Sequence, residues 1–324
     1  MDINKSKIRD LSFSDLILTD ENRFFLRYLS GSTSPIIEII NNKALLEEIT
    51  ELKYKLTVSK EKEFLFLWDN IPFRVTKIIT IKGEHFFLRR PFYPVPDLVN
   101  LGYLENQLVK LKSLCGKSGL VLFSGATGSG KTTSMYSLMT DLVKKNGDIV
   151  ISIEDPPEIP VESIYGNEGH GLWYQIDAQM VGGYEKAMIS AMRYNPKFIM
   201  MGEIRSADAA NQAVRAAVNG HLVLTTIHGS SIQGAILALQ QIAAAGMQSQ
   251  DLARAIISDG LTGVIHQCLV RDKITGKRTM KSSSLFIDGD DGIKTKIRNG
   301  KLELLSTDIY NQNIASRVNS STYV

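Results

Sequence analysis

The stretch FSGATGSGKTT (123–133) decides the fold of this chain. It contains the complete pattern Gly-x-x-x-x-Gly-Lys-Thr and lies between an apolar run, LVLFS (120–124), and a segment with helical character at 131–145. Glycines let the backbone turn tightly and direct its N–H groups inward, while the N-terminus of the helix adds positive potential. A loop of this kind binds phosphate groups. A chance glycine-rich turn is the alternative, and the strand before the loop and the helix after it argue against that interpretation.

Nine consecutive residues of this loop are the predicted phosphate-binding residues. They are Gly125, Ala126, Thr127, Gly128, Ser129, Gly130, Lys131, Thr132 and Thr133. In such loops the lysine amine (Lys131) reaches the β- and γ-phosphates of a nucleotide, and the following hydroxyl (Thr132) is a ligand for Mg²⁺. ATP and Mg²⁺ are therefore the expected cofactors, although the loop alone does not say what the nucleotide is used for.

Three further apolar runs follow the loop: DIVISIE (148–154), FIMMGE (198–203) and HLVLTTIH (221–228). Each is too short for a helix and nearly continuous in apolar content, which is typical of central strands covered on both faces. Helix-like segments lie between them at 185–194 and 207–219. This alternation predicts an α/β fold with a doubly wound, mainly parallel sheet, whose strand order the pattern does not reveal.

The chain before the loop has a different pattern. Residues 1–98 predict a smaller mixed α/β domain, with β-rich runs within 64–92 that are broken at DN and at KGE. The proline-punctuated stretch RRPFYPVPDL (89–98) predicts an extended linker, because each proline disfavours helix in the residue before it. We therefore expect a boundary near residue 98, a linker and lead-in helix at 99–116, and a second domain at 117–324.

Polar side chains stand at the ends of the apolar runs. Ligands of open α/β sheets bind beyond the carboxyl ends of the strands, so these side chains are candidates for a site beside the phosphate-binding loop. They are Glu154, Asp155 and Glu158 after the second run, Glu203 and Arg205 after the third, and His221 and His228 at the start and the end of the fourth.

Roles follow from the chemistry of phosphoryl transfer. A carboxylate near the γ-phosphate orients or deprotonates the attacking water, and Glu203 is the first candidate for this role. Glu154 or Glu158 would hold Mg²⁺ through water or assist with the nucleophile, and His221 and His228 are candidate sensors of the γ-phosphate. The alternatives are an ordinary surface residue for Glu158 and ordinary core residues for the two histidines.

Positive charge beyond the lysine and the metal is also needed in the transition state, commonly from an arginine supplied from elsewhere. Arg74, Arg89 and Arg90 lie in the first predicted domain, outside the nucleotide-binding core. They act in the reaction only if domains or adjacent subunits close over the nucleotide, and ordinary surface arginines are the alternative.

Taken in order, these residues resemble the secretion and pilus ATPases of the PilT, GspE and VirB11 type. GATGSGKTT is similar to the Walker A loop of that family, ISIEDPPE to its Asp box, FIMMGEIRS to its Walker B segment and NGHLVLTTIHGSS to its His box. FRVTKI and FFLRR are similar to its arginine-bearing strands. Four motifs in the right order are far more specific than any one of them.

The resemblance implies a ring-forming homo-hexamer with a PAS-like N-terminal domain (1–98). It also implies a RecA-like ATPase domain with a C-terminal helical or hairpin extension (117–324). Such proteins hydrolyse ATP to ADP and phosphate and couple this to pilus assembly, pilus retraction or secretion. An inner-membrane platform protein would be the partner, and the location would be cytoplasmic, peripheral at the inner membrane through that partner.

The resemblance also implies roles for single residues. Lys131 and Thr132 match the phosphate and Mg²⁺ ligands, and Glu203 matches the Walker B catalytic glutamate. The remaining matches are Glu154 to Glu158 for the Asp box, His221 and His228 for the His box, Arg205 within the Walker B segment, and Arg74 and Arg89 for the charge-stabilising arginines, with Arg90 as a substitute for Arg89.

Departures from the family pattern indicate which branch of the family the chain resembles. Extension ATPases usually carry a tetracysteine zinc motif, which two cysteines cannot build, so the shorter PilT-like retraction branch or the similar DotB-like branch is favoured. RYNPK (193–197) stands where PilT-like proteins usually read Arg-x-Asp-Pro-Asp, which favours the DotB-like branch. A usual Walker B strand would place an aspartate where Gly202 stands, so Thr132, water and the Asp box would hold the metal.

The composition argues against nucleic-acid-binding, secreted and membrane-spanning proteins. The net charge is only +3 and the basic residues are dispersed, so no nucleic-acid partner is expected. The N-terminus lacks the apolar core of a signal peptide, and no apolar run reaches the roughly 18 residues of a membrane span. The leading hypothesis is a hexameric motor ATPase for pilus retraction or type IV secretion. An ATP-dependent assembly subunit with secondary hydrolysis is the alternative, and a small-molecule kinase is disfavoured by the His box.

Overall fold

The computed structural model describes residues 7–271, 278–287 and 289–319. The chain forms two compact units. The first unit comprises residues 1–94 together with 156–160, and the second comprises 95–155 and 161–324.

The first unit is a six-stranded antiparallel sheet covered on one face by a helix. Its strands follow the order β3-β2-β1-β6-β5-β4. Their bounds are β1 (Asp15–Leu18), β2 (Phe24–Arg27), β3 (Ile36–Glu38), β4 (Glu63–Trp68), β5 (Ile71–Thr80) and β6 (Gly83–Arg89), and the helix is α1 (Lys43–Thr57).

Local sequence explains these elements. The DN break places Asp69 and Asn70 between β4 and β5, and both have positive φ (48° and 61°), as a two-residue hairpin turn of type I′ requires. The side chain of Asn42 caps α1 by accepting from the Leu45 amide. The apolar residues of α1 recur at helical spacing and are buried in the core of this unit: Leu45, Ile49, Leu52 and Leu56.

The second unit is an eight-stranded sheet with helices on both sides. Its strands follow the order β14-β13-β7-β12-β11-β8-β10-β9, parallel from β13 through β10 and antiparallel at both edges. Their bounds are β7 (Gly119–Ser124), β8 (Asp148–Glu154), β9 (Ser163–Tyr165), β10 (Gly171–Asp177), β11 (Phe198–Glu203), β12 (Leu222–Ile227), β13 (Leu261–Arg271) and β14 (Arg278–Phe286).

The helices of this unit follow the predicted alternation. They are α2 (Glu105–Lys112), α3 (Lys131–Asn146), α4 (Tyr184–Arg193), α5 (Ala207–Val218), α6 (Ile232–Met247), α7 (Gln250–Gly260), α8 (Asp291–Arg298) and α9 (Leu305–Asn319). The expected fold class, a mainly parallel α/β sheet preceded by a smaller α+β unit, is confirmed. No helix within the described ranges is long and apolar enough to cross a membrane.

The four predicted strands are neighbours in the sheet. They become β7, β12, β11 and β8, which stand side by side and parallel. Their carboxyl ends therefore meet at one edge, where ligands of such sheets bind. β13 adds a fifth strand to this edge, because it pairs in parallel with β7 and brings His266 level with Ser124.

Candidate functional site

The phosphate-binding loop connects β7 to α3, and the first residue of α3 is Lys131. Gly125 has a φ of +146°, and a Cβ on it would stand 2.2 Å from the carbonyl oxygen of Gln267 on β13. Only glycine permits this close approach of two backbones. The tip of the loop (126–128) is exposed. The loop therefore presents its backbone and the N-terminus of α3 to a ligand at the sheet edge.

Lys131 is held inside its own loop. Its side chain donates hydrogen bonds of 2.9 Å to the carbonyl oxygens of Gly125 and of Ala126, and the residue is only 8% exposed. Burial lowers the pKa of Lys131, and the negative charge of Glu203 opposes this shift. The loop lysine and the strand-end carboxylate therefore belong to one electrostatic site.

Glu203 is the centre of a cluster at the end of β11. Its Oε2 accepts a hydrogen bond of 2.7 Å from Nε of Arg205 and lies 2.6 Å from a terminal nitrogen of the same guanidinium group. Its Oε1 lies 2.8 Å from Nε2 of His228, at an angle outside hydrogen-bond geometry. The structure therefore brings together three predicted residues, from the ends of two adjacent strands.

The Oε1 atom of Glu203 is buried and accepts no hydrogen bond from any residue the structure describes. The hydroxyl oxygen of Ser129, in the phosphate-binding loop, is also buried and makes no hydrogen bond to any residue the structure describes. Buried polar atoms are rarely left without a partner unless water, an ion or a ligand satisfies them. Both atoms therefore fit a site that holds water and a polar ligand.

A β-bulge positions Glu203. The ladder between β11 and β12 shifts register at Gly202, since Met201 pairs with Thr225 and Glu203 with Thr226. The hydroxyl of Thr226 donates to the carbonyl oxygen of Gly202 at 2.8 Å and fixes the irregular turn. Bulges of this kind redirect a side chain and are frequent beside active sites.

Tyr184, the first residue of α4, accounts for the glycine at position 202. A Cβ on Gly202 would stand 3.0 Å from the tyrosine hydroxyl, which fills the space that an aspartate would need. Burial raises the pKa of Tyr184 strongly, and the nearby carboxylates of Asp155, Glu154 and Glu203 raise it further. The hydroxyl therefore remains a protonated hydrogen-bond donor at neutral pH.

The residues of the Asp box belong to both units of the structure. Glu154 is buried at the end of β8, where it accepts hydrogen bonds from the hydroxyl of Tyr136 and, at 3.1 Å, from the amide of Gln175. Asp155 accepts from the side-chain amide of Gln179 at 2.5 Å. Glu154 is therefore a held, buried carboxylate of the second unit, positioned by two donors that the motif analysis did not identify.

Glu158 belongs to the first unit, in the segment 156–160. Its carboxylate lies 3.4 Å from a guanidinium nitrogen of Arg74, which also contacts Glu63 at 3.2 Å. Two predicted residues, one from the Asp box and one from an N-terminal strand, therefore share an ion-pair cluster within this unit.

The two consecutive arginines of the first unit have different environments. The side chain of Arg89 is 67% exposed and contacts Asp15 at 3.1 Å. Arg90 donates to the carbonyl of Leu11 and lies over the ring of Phe13, and burial lowers its pKa. The Arg90 side chain packs against residues of its own unit, whereas the Arg89 guanidinium faces solvent.

His221 does not join the cluster. It precedes β12, whereas His228 follows that strand, so about 20 Å of extended chain separates the two ends. Its Nδ1 lies 2.7 Å from the carbonyl oxygen of Pro196, and the residue is buried at the amino edge of the sheet. The expectation that both histidines face the γ-phosphate therefore fails for His221, because one strand delivers its two ends to opposite edges.

Comparison with known proteins identifies the family. A profile of the family described as "Type II/IV secretion system protein" matches residues 62–322, well over half of the chain. The chain belongs to this family. The resemblance inferred from the motif order is confirmed.

Relatives of this family member include the competence protein ComGA of Bacillus subtilis, 32% identical over 191 residues, 58% of this chain and 51% of that protein. The HofB homolog of Escherichia coli, a protein transport protein, is 36% identical over 208 residues, 62% of this chain and 41% of that protein. The chain thus spans about half, or less, of the length of these relatives.

Two solved structures are similar over most of their length. The pilus retraction motor PilT with bound ADP is 26% identical, with a TM-score of 0.75 over 96% of this chain and 91% of that one. The ATPase DotB of Legionella pneumophila is 21% identical, with a TM-score of 0.71 over 91% and 84%. These similarities confirm the expected fold, with a smaller domain before the ATPase domain.

Two site residues of this family member escaped the sequence analysis, His266 and Gln267 on β13. The Nδ1 of His266 lies 3.1 Å from the hydroxyl of Ser124, the last residue before the loop. Burial lowers the pKa of His266, and the positive charge of Lys131 lowers it further. The available signal was the interruption of the apolar run LTGVIHQCLV (261–270) by two adjacent polar residues.

No group of three or more histidine, cysteine, aspartate or glutamate side chains suited to a metal ion occurs in the ranges that the structure describes. Mg²⁺ is compatible with such a site, because it keeps several waters and takes few protein ligands beside substrate phosphates. The Thr132 hydroxyl at the start of α3 fits this mode of binding.

Proposed function

We propose that this chain is a Mg²⁺-dependent ATPase that hydrolyses ATP to ADP and phosphate at the carboxyl edge of its parallel sheet. One observation carries the proposal: Oε1 of Glu203 is buried, lies 2.8 Å from Nε2 of His228 and accepts no hydrogen bond from the described residues. It stands at the same edge as the phosphate-binding loop, and the charge of Glu203 is coupled to Lys131. A carboxylate in this position is suited to orient and deprotonate an attacking water.

Each residue of the site has a separate role in this proposal. The backbone N–H groups of residues 125–133 and the Lys131 amine bind the phosphates, and Thr132 would hold Mg²⁺, which supplies Lewis-acid stabilisation of the phosphoryl charge when bound. Glu203 accepts the proton of the water. Arg205 donates to Oε2, so the water is proposed to bind at Oε1, where Nε2 of His228 lies 2.8 Å away.

Glu154 is proposed as a positioning residue, because its carboxylate is already engaged by Tyr136 and Gln175. Arg74 and Arg89 are proposed to stabilise the developing charge from a neighbouring subunit. The exposure of Arg89 supports this role, and the packing of Arg90 disfavours it as the substitute.

The same proposal extends to the assembly. We infer a homo-hexameric motor, cytoplasmic and peripheral at the inner membrane through a platform protein, that drives type IV pilus retraction or type IV secretion. The similarity to PilT over 91% of that chain supports the motor. An assembly subunit with secondary hydrolysis is the second candidate.

The test is Glu203→Gln. Turnover should fall by roughly 10² to 10⁴-fold, because the base is lost, while ADP affinity changes little. Phosphate release and ADP binding by calorimetry are the measurements, with the exposed Glu303→Gln as the control. Turnover within a fewfold of the unmodified protein would reject the role of Glu203. Absence of phosphate release from the unmodified protein, with nucleotide-dependent assembly, would favour the second candidate.

A further inference from the structure

The side chain of Gln267 on β13 joins the phosphate-binding loop to the segment before α2. The residue is completely buried. Its Nε2 donates to the main-chain carbonyl oxygen of Ser129 at 2.9 Å, and its Oε1 accepts from the hydroxyl of Tyr103 at 2.9 Å. Both ends of the amide are therefore engaged, one of them by the loop itself.

The hydrogen bond from Gln267 to the Ser129 carbonyl also fixes the direction of the Gly130 N–H. The Ser129 carbonyl and the Gly130 N–H belong to the same trans peptide plane, so they point in opposite directions. When Gln267 holds the carbonyl on the protein side, the N–H of Gly130 is turned to the opposite side, where the ligand would bind. Gly128 and Gly130 both have positive φ, and such a loop needs an external contact to keep one orientation.

The Ser129 carbonyl determines which way the glutamine amide faces, and Tyr103 holds the other end of the amide. A glutamine side chain can rotate its amide by 180° and exchange donor for acceptor. A carbonyl oxygen only accepts, so Ser129 requires Nε2 on the loop side, and the tyrosine hydroxyl donates to Oε1 on the other side. Tyr103 is itself buried, and burial raises its pKa, so it remains a donor at neutral pH. Nearby, Gln107 of α2 bonds to Asn313 and Ser282 and anchors this segment.

We propose that Gln267 and Tyr103 are positioning residues that hold the phosphate-binding loop in its ligand-ready shape before the nucleotide arrives. The inference rests on the proposed function, since it concerns the affinity of the same site for a nucleotide. Neither side chain needs to touch the nucleotide: Gln267 acts through the Ser129–Gly130 peptide, and Tyr103 acts through Gln267. Preorganisation of this kind raises affinity by removing the ordering entropy from the binding step.

The decisive variants are Gln267→Met, which keeps the volume but removes the donor, and Tyr103→Phe, which removes one hydroxyl. Gln240→Met is the matched control, because Gln240 is also a buried glutamine that donates to a main-chain carbonyl, that of Ile297, in another part of the same unit. The readouts are ADP affinity by calorimetry, the thermal midpoint, and amide hydrogen exchange of the loop peptide without nucleotide.

Gln267→Met should weaken ADP binding by about tenfold and Tyr103→Phe by a smaller factor, with faster exchange in the loop. Gln240→Met should lower the thermal midpoint comparably and leave ADP affinity unchanged. Equal ADP affinity of the Gln267→Met and Gln240→Met proteins would overturn the inference. If Gln267→Met does not fold, unchanged affinity and loop exchange in Tyr103→Phe would overturn it. Failure of the unmodified protein to bind ADP would instead contradict the proposed function.

Discussion

At the scale of single residues, the site depends on which polar atoms are engaged and which are not. Glu154 and Glu203 both end buried strands, yet two donors engage Glu154 whereas one oxygen of Glu203 accepts no hydrogen bond from the described part of the chain. The two carboxylates are therefore suited to different work. Under the proposed function, Glu154 positions its surroundings and Glu203 handles the water.

Gly202 and Tyr184 provide a test of the space beside Glu203. Gly202→Ala should destabilise the protein by about 1 to 2 kcal/mol, because its Cβ meets the Tyr184 hydroxyl at 3.0 Å. In a Tyr184→Phe background the same substitution should be better tolerated, since the hydroxyl is absent. A double-mutant cycle of unfolding free energies measures this coupling. Additive effects of the two substitutions would contradict the proposed contact.

His266 makes stability depend on pH on the acid side. Burial and the charge of Lys131 lower its pKa in the folded protein below the ordinary value of 6.5. As pH falls through that value, the unfolded chain binds a proton that the folded chain does not, so stability decreases towards the lower folded pKa. His266→Gln should reduce the loss of thermal midpoint as the pH falls below 6.5. An unchanged pH profile would show that this histidine is not the cause.

At the scale of elements, caps and register place the functional side chains. α5 follows directly after the Glu203 cluster, and the hydroxyl of Ser206 accepts from the Ala209 amide to cap it. The bulge at Gly202 and the cap at Ser206 thus fix both ends of the short segment that carries Glu203 and Arg205. The position of the carboxylate depends on these two local features.

Ser206 is expected to contribute through its cap. Ser206→Ala should lower the free energy of unfolding by about 1 kcal/mol, because the Ala209 amide loses its acceptor. Ser206→Asp should retain the stability, since a carboxylate oxygen caps equally well. Denaturant unfolding of the three proteins is the measurement. Equal losses in both variants would show that the cap is not what Ser206 provides.

At the scale of the whole molecule, the proposal requires subunits to cooperate, because a charge-stabilising arginine from a neighbour completes the site. The chain by itself supplies the loop, the carboxylate that is proposed to handle the water and the exposed Arg89. Catalysis by a ring would then depend on residues from two copies at each site.

Subunit mixing tests this arrangement. Arg89→Ala and Glu203→Gln should each reduce ATP turnover strongly when assayed alone. A mixture of the two should recover part of the activity, because some interfaces combine an intact Glu203 with an intact Arg89. Phosphate release from mixtures in several ratios, with sedimentation to establish a six-subunit particle, is the measurement. A mixture no more active than its components would reject Arg89 as the residue supplied in trans.

The sequence by itself determined the order of the motifs, the four central strands and the edge at which Glu203, Arg205 and His228 meet the phosphate-binding loop. These features follow from local patterns, because apolar runs and glycine positions are read within a few residues. The tertiary structure alone placed Gln267 and His266 at this edge, through a parallel pairing of β13 with β7 that joins residues more than 130 positions apart. It also put Glu158 beside Arg74 in the first unit. Such contacts depend on strand order and on the path of the chain, which no local pattern contains.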